Sequence, residues 1–191
     1  MADWIETSNG NRISKKATIT GSQRILIAGS CLIRENCVVE GNVRTLEKCA
    51  SAISMGRFCM LGRASVVKPA VIGYKTDKNT GKSVSIHCPL VMNSYTLVKP
   101  GAQIHCKRMG SRVVVGANSI LARCCTIGDV VIIEDDVVVP ENCYVPSFSR
   151  VRRHSEWPGS IDITPLNDSM RQVIENWCKQ EYLGMTPDYD D

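Results

Sequence analysis

The chain has 191 residues, enough for one domain with a sizeable core. Hydrophobic residues make up 43% but aromatics only 5%, so the interior must be aliphatic and the exposed rings of a nucleic-acid stacking platform are lacking. A net charge of +4, from 23 basic and 19 acidic side chains, is too small an excess to imply nucleic-acid binding, and it leaves room for an acidic protein partner.

The opening residues carry Asp3 and Glu6 and no apolar run, so no signal peptide is expected. No stretch approaches the ~20 apolar residues of a membrane span. The ten cysteines are therefore read as reduced thiols of the cytosol or nucleus, not as a disulfide framework.

An aliphatic residue then recurs every six positions. The first block is Ile27, Ile33 and Val39, with Cys31, Cys37 and Val43 four residues later. Thr45 to Ala52 disturbs the register and reads as a bulged corner. Met55, Leu61 and Val67 follow, with Cys59, Ser65 and Val71. The polar stretch from Gly73 to Ser83 reads as an extruded loop. The register returns at Ile86, Met92, Val98 and Ile104, and Arg108 ends that run. A short break at Lys107 to Ser111 precedes the longest block: Val115, Leu121, Ile127, Ile133, Val139 and Val145.

Six is a multiple of the two-residue strand period, so the marked side chains share one face. Val and Ile favour strands. A short strand and a bend, repeated three times, close a triangular coil, and coils stack about 4.8 Å apart. The second inward position lies near a corner and takes small residues. Five cysteines (Cys31, Cys37, Cys59, Cys125, Cys143) stand there and read as core filler. This pattern resembles the hexapeptide-repeat family, which implies a left-handed parallel β-helix. The fold expected is therefore all-β, a left-handed parallel β-helix over residues 1–150, with a C-terminal α-helix.

After Pro146 the repeat is expected to end in a basic turn of Arg150, Arg152, Arg153 and His154. A helix follows, with Pro165 in its first turn or Asp168 as its cap, and Gly184 as its stop. Leu166, Met170, Val173, Ile174 and Trp177 form its apolar stripe, which is expected to pack along the β-helix. Residues 151–191 thus belong to the same domain, ending in an acidic tail from Thr186 to Asp191.

Candidate chemistry is sparse. His87-Cys88 and His105-Cys106 are 18 residues apart, one coil, so two His and two Cys come within reach of a tetrahedral zinc site. Against this, neighbouring residues on a strand point to opposite faces, and stacked surface imidazoles are the simpler expectation. No cofactor and no metal is expected. His154 lies beyond the repeats. Glu134, Asp135 and Asp136 sit at a corner, where carboxylates cap turn N–H groups.

More specific than the repeat are Trp4-Ile5-Glu6-Thr7, Gly10-Asn11, Gly21-Ser22-Gln23 with Ile25, Met55 to Cys59, Ser65 to Pro69, and Val115 to Asn118. These blocks, in this order, resemble the dynactin subunit 5 family over about residues 4 to 150. Arg24, Ser30 and the stretch from Thr45 to Ala52 depart from that family's pattern. The resemblance implies a non-catalytic, cytoplasmic and cytoskeleton-associated scaffold at the pointed end of the dynactin filament, serving dynein-driven transport. Its implied partners are dynactin subunit 6, itself a β-helix, the pointed-end actin-related protein, dynactin subunit 4 and cargo adaptors. Lys75, Lys78, Lys82, Arg150, Arg152 and Arg153 are the residues expected to meet acidic partners. The competing reading is a homotrimeric hexapeptide enzyme, an acyltransferase or a carbonic anhydrase-like hydratase.

Overall fold

The computed structural model describes residues 3–45, 50–76 and 81–184. Strand β1 (Trp4–Glu6) precedes a first coil of β2 (Arg12–Ser14), β3 (Thr18–Thr20) and β4 (Ile25–Gly29). The second coil is β5 (Leu32–Ile33), β6 (Val38–Glu40) and β7 (Ile53–Arg57). The third is β8 (Cys59–Leu61), β9 (Val66–Val67) and, after an arm of β10 (Val71–Thr76) and β11 (Ser83–His87), β12 (Leu90–Met92). The fourth is β13 (Thr96–Val98), β14 (Gln103–Ile104) and β15 (Arg108–Met109). The fifth is β16 (Val113–Val115), β17 (Ile120–Leu121) and β18 (Thr126–Ile127). The sixth is β19 (Val131–Ile133), β20 (Val138–Val139) and β21 (Tyr144–Val145). A hairpin of β22 (Ser149–Arg153) and β23 (Ile161–Pro165) leads to α1 (Met170–Leu183).

The strands form a three-sided prism, a left-handed parallel β-helix. The second face holds β3, β6, β9, β14, β17 and β20, and the third holds β4, β7, β12, β15, β18 and β21. The first face holds β2, β5, β8, β13, β16, β19 and β22 in parallel, flanked by antiparallel β1 and β23. The six-residue spacing predicts the interior: Ile33, Val39, Leu61, Val67, Val98, Ile104, Val115, Leu121, Val139 and Val145 are at most 1% exposed. Cys31, Cys37, Cys59 and Cys125 are fully buried among them, and Cys143 packs against them half-buried.

Corners explain the small residues. Asp129 Oδ1 accepts from Ser111 N–H at 2.7 Å, Ser147 Oγ from Asp129 N–H at 2.9 Å, and Asp135 Oδ1 from Ala117 N–H at 2.8 Å. Each side chain reaches up one coil to an otherwise unpaired amide. The acidic cluster thus includes a structural bracket, as the corner reading expects.

Three local expectations are corrected. The third run does not end at Ile104. Val113 pairs with Val131, 18 residues on, but Thr96 pairs with Val113, one residue fewer. The corner after β14 is a residue short, so Cys106 fills the interior, Met109 takes the inward position and Arg108 faces out. Ile86 belongs to the arm, where it pairs with Gly73, and not to a coil. The stretch from Gly73 to Ser83 is the tip of this two-stranded arm; residues 77–80 lie outside those described. The bulged corner keeps Thr45 bridged to His87, and residues 46–49 also lie outside them.

Helix α1 seats on the first face. The outward residues there stack as Leu32, Met60, Leu97, Val114 and Ile132. All are buried or half-buried, unlike their counterparts on the third face, which include exposed Leu26, Val91 and Tyr144. At the adjoining corner Phe58 and Tyr95 stack with centroids 5.3 Å apart. Val130, at φ 56°, is buried in this seam. A β-branched residue there is strained, so its packing must offset the strain. Ion pairs of 2.6 Å (Arg112–Glu175) and 2.5 Å (Arg34–Glu181) flank the helix. Tyr182 Oη donates to the Gly10 carbonyl.

The helix starts at Met170, with Ser169 at its N-cap, later than Pro165 or Asp168 would place it; Pro165 closes β23 instead. Gly184 ends it in the left-handed region, as expected. Its buried residues are Ile174 and Cys178, while Trp177 is 38% exposed.

Candidate partner-binding surfaces

The sequence-predicted contact residues occupy two separate places. The arm leaves the corner between the second and third faces, opposite the first face. Lys75 and Lys82 are exposed on it, beside exposed Ile72 and Tyr74, the latter 75% accessible. Lys78 lies outside the described residues. Arg150, Arg152 and Arg153 are on the first face.

They do not form a turn. Arg150, Arg152 and Arg153 lie in β22, which extends the first face past residue 150, and they pair there with Thr164, Asp162 and Ile161. The turn is displaced because the coil runs one strand beyond Pro146. Two of the three charges have carboxylate neighbours: Arg150 is 3.8 Å from Glu134 and Arg152 3.6 Å from Asp162. Arg153 is exposed with no ion pair among the described residues.

The histidines and cysteines do not converge. The stretch from His87 to His105 runs through β12, β13 and β14, but His87 closes the arm inserted after Ala70 and so does not occupy the coil position beneath His105. Ile104 pairs with Val67, so the residue above His105 is Lys68, whose carbonyl lies 3.2 Å from His105 Nδ1. His87 is buried at the arm's base, 6% exposed, and its Nδ1 has no hydrogen-bond partner among the described residues. The expected pair of stacked surface imidazoles is therefore absent from this structure. Among the described residues no group of three or more His, Cys, Asp or Glu is arranged to hold a metal.

His154 Nδ1 accepts from the Glu156 and Trp157 amides, 3.1 and 3.2 Å away. Its proton therefore sits on Nε2, which faces Asp162 at 3.6 Å. With its basic nitrogen engaged by backbone, this imidazole organises the β22–β23 turn. A hollow of about 650 Å³ on the third face is lined by Leu26, Ser54, Val91, Asn93 and Ser94 among others, and by no titratable side chain.

Burial sets two of the thiols. It pushes Cys125 up to about 12, helped by Cys143, and Cys178 up to about 12, helped by Glu181 and Glu175. The ordinary value is 9.0. The folded chain thus keeps protons that the unfolded chain loses above pH 9, so this stability is full below that pH and is lost as pH climbs toward 12. Each thiol contributes a slope of about 1.4 kcal/mol per pH unit in that window. Urea midpoints are expected to fall between pH 8 and pH 10.5, less steeply in the Cys125→Val, Cys178→Val double variant. Equal slopes would show that these thiols are not linked to folding.

Among the described residues no helix is long and apolar enough to cross a membrane. The family model described as Dynactin subunit 5 matches residues 1–186. A Dictyostelium discoideum protein named Dynactin subunit 5 is 26% identical over 110 residues, which are 58% of this chain. The match spans about half of that relative, 48% of its length. Among solved structures, AntD, an N-acyltransferase from Bacillus cereus, superposes with TM-score 0.64 at 13% identity, over 92% of this chain and 87% of that one. The UDP-N-acetylglucosamine O-acyltransferase of Moraxella catarrhalis does so with TM-score 0.59 at 15% identity, over 85% and 57%. At such identities these likenesses establish the coil architecture alone.

Proposed function

Because this chain belongs to the dynactin subunit 5 family, we propose that it is a non-catalytic scaffold subunit of the dynactin pointed-end complex, supporting dynein-driven transport in the cytoplasm. The observation that carries the reading is the family match across nearly the whole chain. Its partners on this reading are dynactin subunit 6, the pointed-end actin-related protein, dynactin subunit 4 and cargo adaptors. The geometry supports it. A prism of stacked coils is rigid, and its projecting arm offers Ile72, Tyr74 and Lys75 to a partner. His154, with Nδ1 accepting from two backbone amides and Nε2 beside Asp162, is engaged in holding its own turn, which favours a scaffold over an acid–base catalyst.

Lys75, Lys78 and Lys82 on the arm, and Arg150, Arg152 and Arg153 on β22, are the proposed contacts for acidic partners. Affinity capture of the tagged chain from its own cells should recover a second hexapeptide-repeat protein together with actin-related and dynein-associated chains. The double variant Lys75→Glu, Arg153→Glu should weaken that recovery and make it more salt-sensitive without changing the fold. Capture of a homotrimer that binds acyl-CoA or stoichiometric zinc would replace the scaffold reading with the enzyme one.

A further inference from the structure

We propose that Cys31 and Cys59, stacked in one corner of the prism, form a redox modification site: a dithiol that hydrogen peroxide closes to a disulfide between the second and third coils. This chemistry is independent of the scaffold role.

Register comes first. Leu32 pairs with Met60 and Ile33 with Leu61, so Cys31 lies directly beside Cys59. The residues before them, Ser30 at φ 53° and Phe58 at φ 56°, share the left-handed conformation, so both corners turn alike and both sulfurs point inward. Stacked coils lie about 4.8 Å apart, inside the roughly 4.4–6.8 Å between α-carbons that a disulfide spans. The side chains already meet: a hydrogen bond joins the two thiols, and Cys31 Sγ accepts from Cys59 N–H at 3.4 Å.

The surroundings activate one sulfur. The hydrogen bond from the Cys59 side chain holds Cys31 below the ordinary thiol value of 9.0, and the same bond, with burial, keeps the proton on Cys59. The pair thus offers a thiolate to attack and a thiol to resolve it. The other stacked cysteines differ. Cys37 lies against Ser65, 3.4 Å from its hydroxyl. Cys125, beside Cys143, and Cys106 keep their protons because burial raises both. Access is short as well. Gly56 and Asn93 line the hollow on the third face, and their carbonyls lie 3.1 Å from Cys31 Sγ and 3.3 Å from Cys59 Sγ. A layer of backbone separates the sulfurs from the hollow, and Gly56 adds no side chain to it. Both cysteines are fully buried, so a small neutral oxidant is the class that fits.

The Cys31 thiolate attacks one peroxide oxygen; the O–O bond breaks, and the departing hydroxide takes up a proton as water. Cys31 is then a sulfenic acid. The Cys59 sulfur attacks the Cys31 sulfur, the S–O bond breaks, and the second hydroxide leaves with the Cys59 proton as water. Two thiols and one peroxide give one disulfide and two waters, with two electrons passing from sulfur to oxygen. A dithiol reductant reverses the bridge by exchange. The bridge closes a loop that contains the irregular stretch from Thr45 to Ala52, and so constrains the unfolded chain.

The full chain, exposed to hydrogen peroxide at neutral pH, quenched with acid and mapped by mass spectrometry, tests this. A peptide linked through Cys31 and Cys59 is expected at about tenfold or more above any other cysteine pair. The urea midpoint is expected to rise with it and to return with a dithiol reductant. Cys59→Ser is expected to fold, since Thr96 already places a hydroxyl beside that position in the next coil. It should leave Cys31 as a sulfenic acid that dimedone captures, while Cys31→Ser should leave Cys59 reduced. Oxidation confined to the half-buried Cys88, Cys124 or Cys143, with Cys31 and Cys59 still reduced, would overturn the inference. So would a bridge whose rate climbs with urea in step with global unfolding, because it would then form in the unfolded chain.

Discussion

Gly116→Val is expected to leave the chain unable to fold to soluble protein. Gly116 follows Val115 at the corner where the fifth coil lies on the sixth. A Cβ built there meets the Glu134 carbonyl carbon at 2.3 Å and the Asp135 nitrogen at 2.4 Å. Both are backbone atoms held in the stack, since Gly116 N–H donates to the Ile133 carbonyl and Ala117 N–H to Asp135. Neither can retreat without separating coils. Overpacking of this kind costs about 3 kcal/mol or more for the alanine alone, and the valine branch adds to it. Against a total stability of about 5–15 kcal/mol, that is decisive. Gly73 is the control: its Cβ would meet nothing within 4 Å, so Gly73→Ala should be nearly neutral. Soluble yield and urea midpoints of Gly116→Ala, Gly116→Val and Gly73→Ala check the contrast. A Gly116→Val protein as stable as the parent would mean that the coils are further apart than described.

The second large effect is expected from Ile174→Asp. Ile174 is fully buried in a seam with Val114, Val130, Ile132 and Cys178, separate from the prism interior. A carboxylate there is buried among apolar side chains, the flanking Arg112 and Arg171 being engaged by Glu175 and Asp168, and an unpaired buried charge costs about 3–5 kcal/mol. Detaching the helix relieves that cost. The expected result is loss of the helical circular-dichroism signal and fast proteolysis between Pro165 and Gly184, with the coils still folded. Ile174→Ala should show the smaller cavity cost of about 2–4 kcal/mol without release. If Ile174→Asp unfolds everything in one step, helix and prism form one cooperative unit; if it changes nothing, the ion pairs Arg34–Glu181 and Arg112–Glu175 hold the helix unaided.

The prism was legible in the sequence because its determinant is local. A side chain's inward or outward direction in a strand follows from its position, and six-residue spacing keeps Leu61, Leu121 or Ile133 on one side whatever lies elsewhere. Small corner residues were legible for the same reason. The family was legible in blocks such as Trp4 to Thr7, which the repeat does not require. The arm's position was legible as a polar break, though its pairing was not.

Only the tertiary structure decided which residues share a coil and which face is covered. His87 and His105 look one coil apart in sequence, but His87 ends the arm that interrupts the corner after Lys68, and Lys68 holds the place beside His105. Insertion length sets vertical neighbours, and spacing alone cannot tell a coil from a coil interrupted. The short corner after Ile104 hid Met109 in the same way. Helix α1 was visible by its periodicity, but Cys178 and not Trp177 faces the prism, because the seat is a column of residues distant in sequence: Leu32, Met60, Leu97, Val114 and Ile132. That column is apolar on β5, β8, β13, β16 and β19, with Arg12 and Arg150 at its two ends, so its signal was present. Its meaning depended on stacking those strands, and long-range contacts, unlike periodicity, are fixed only when the whole chain has closed on itself.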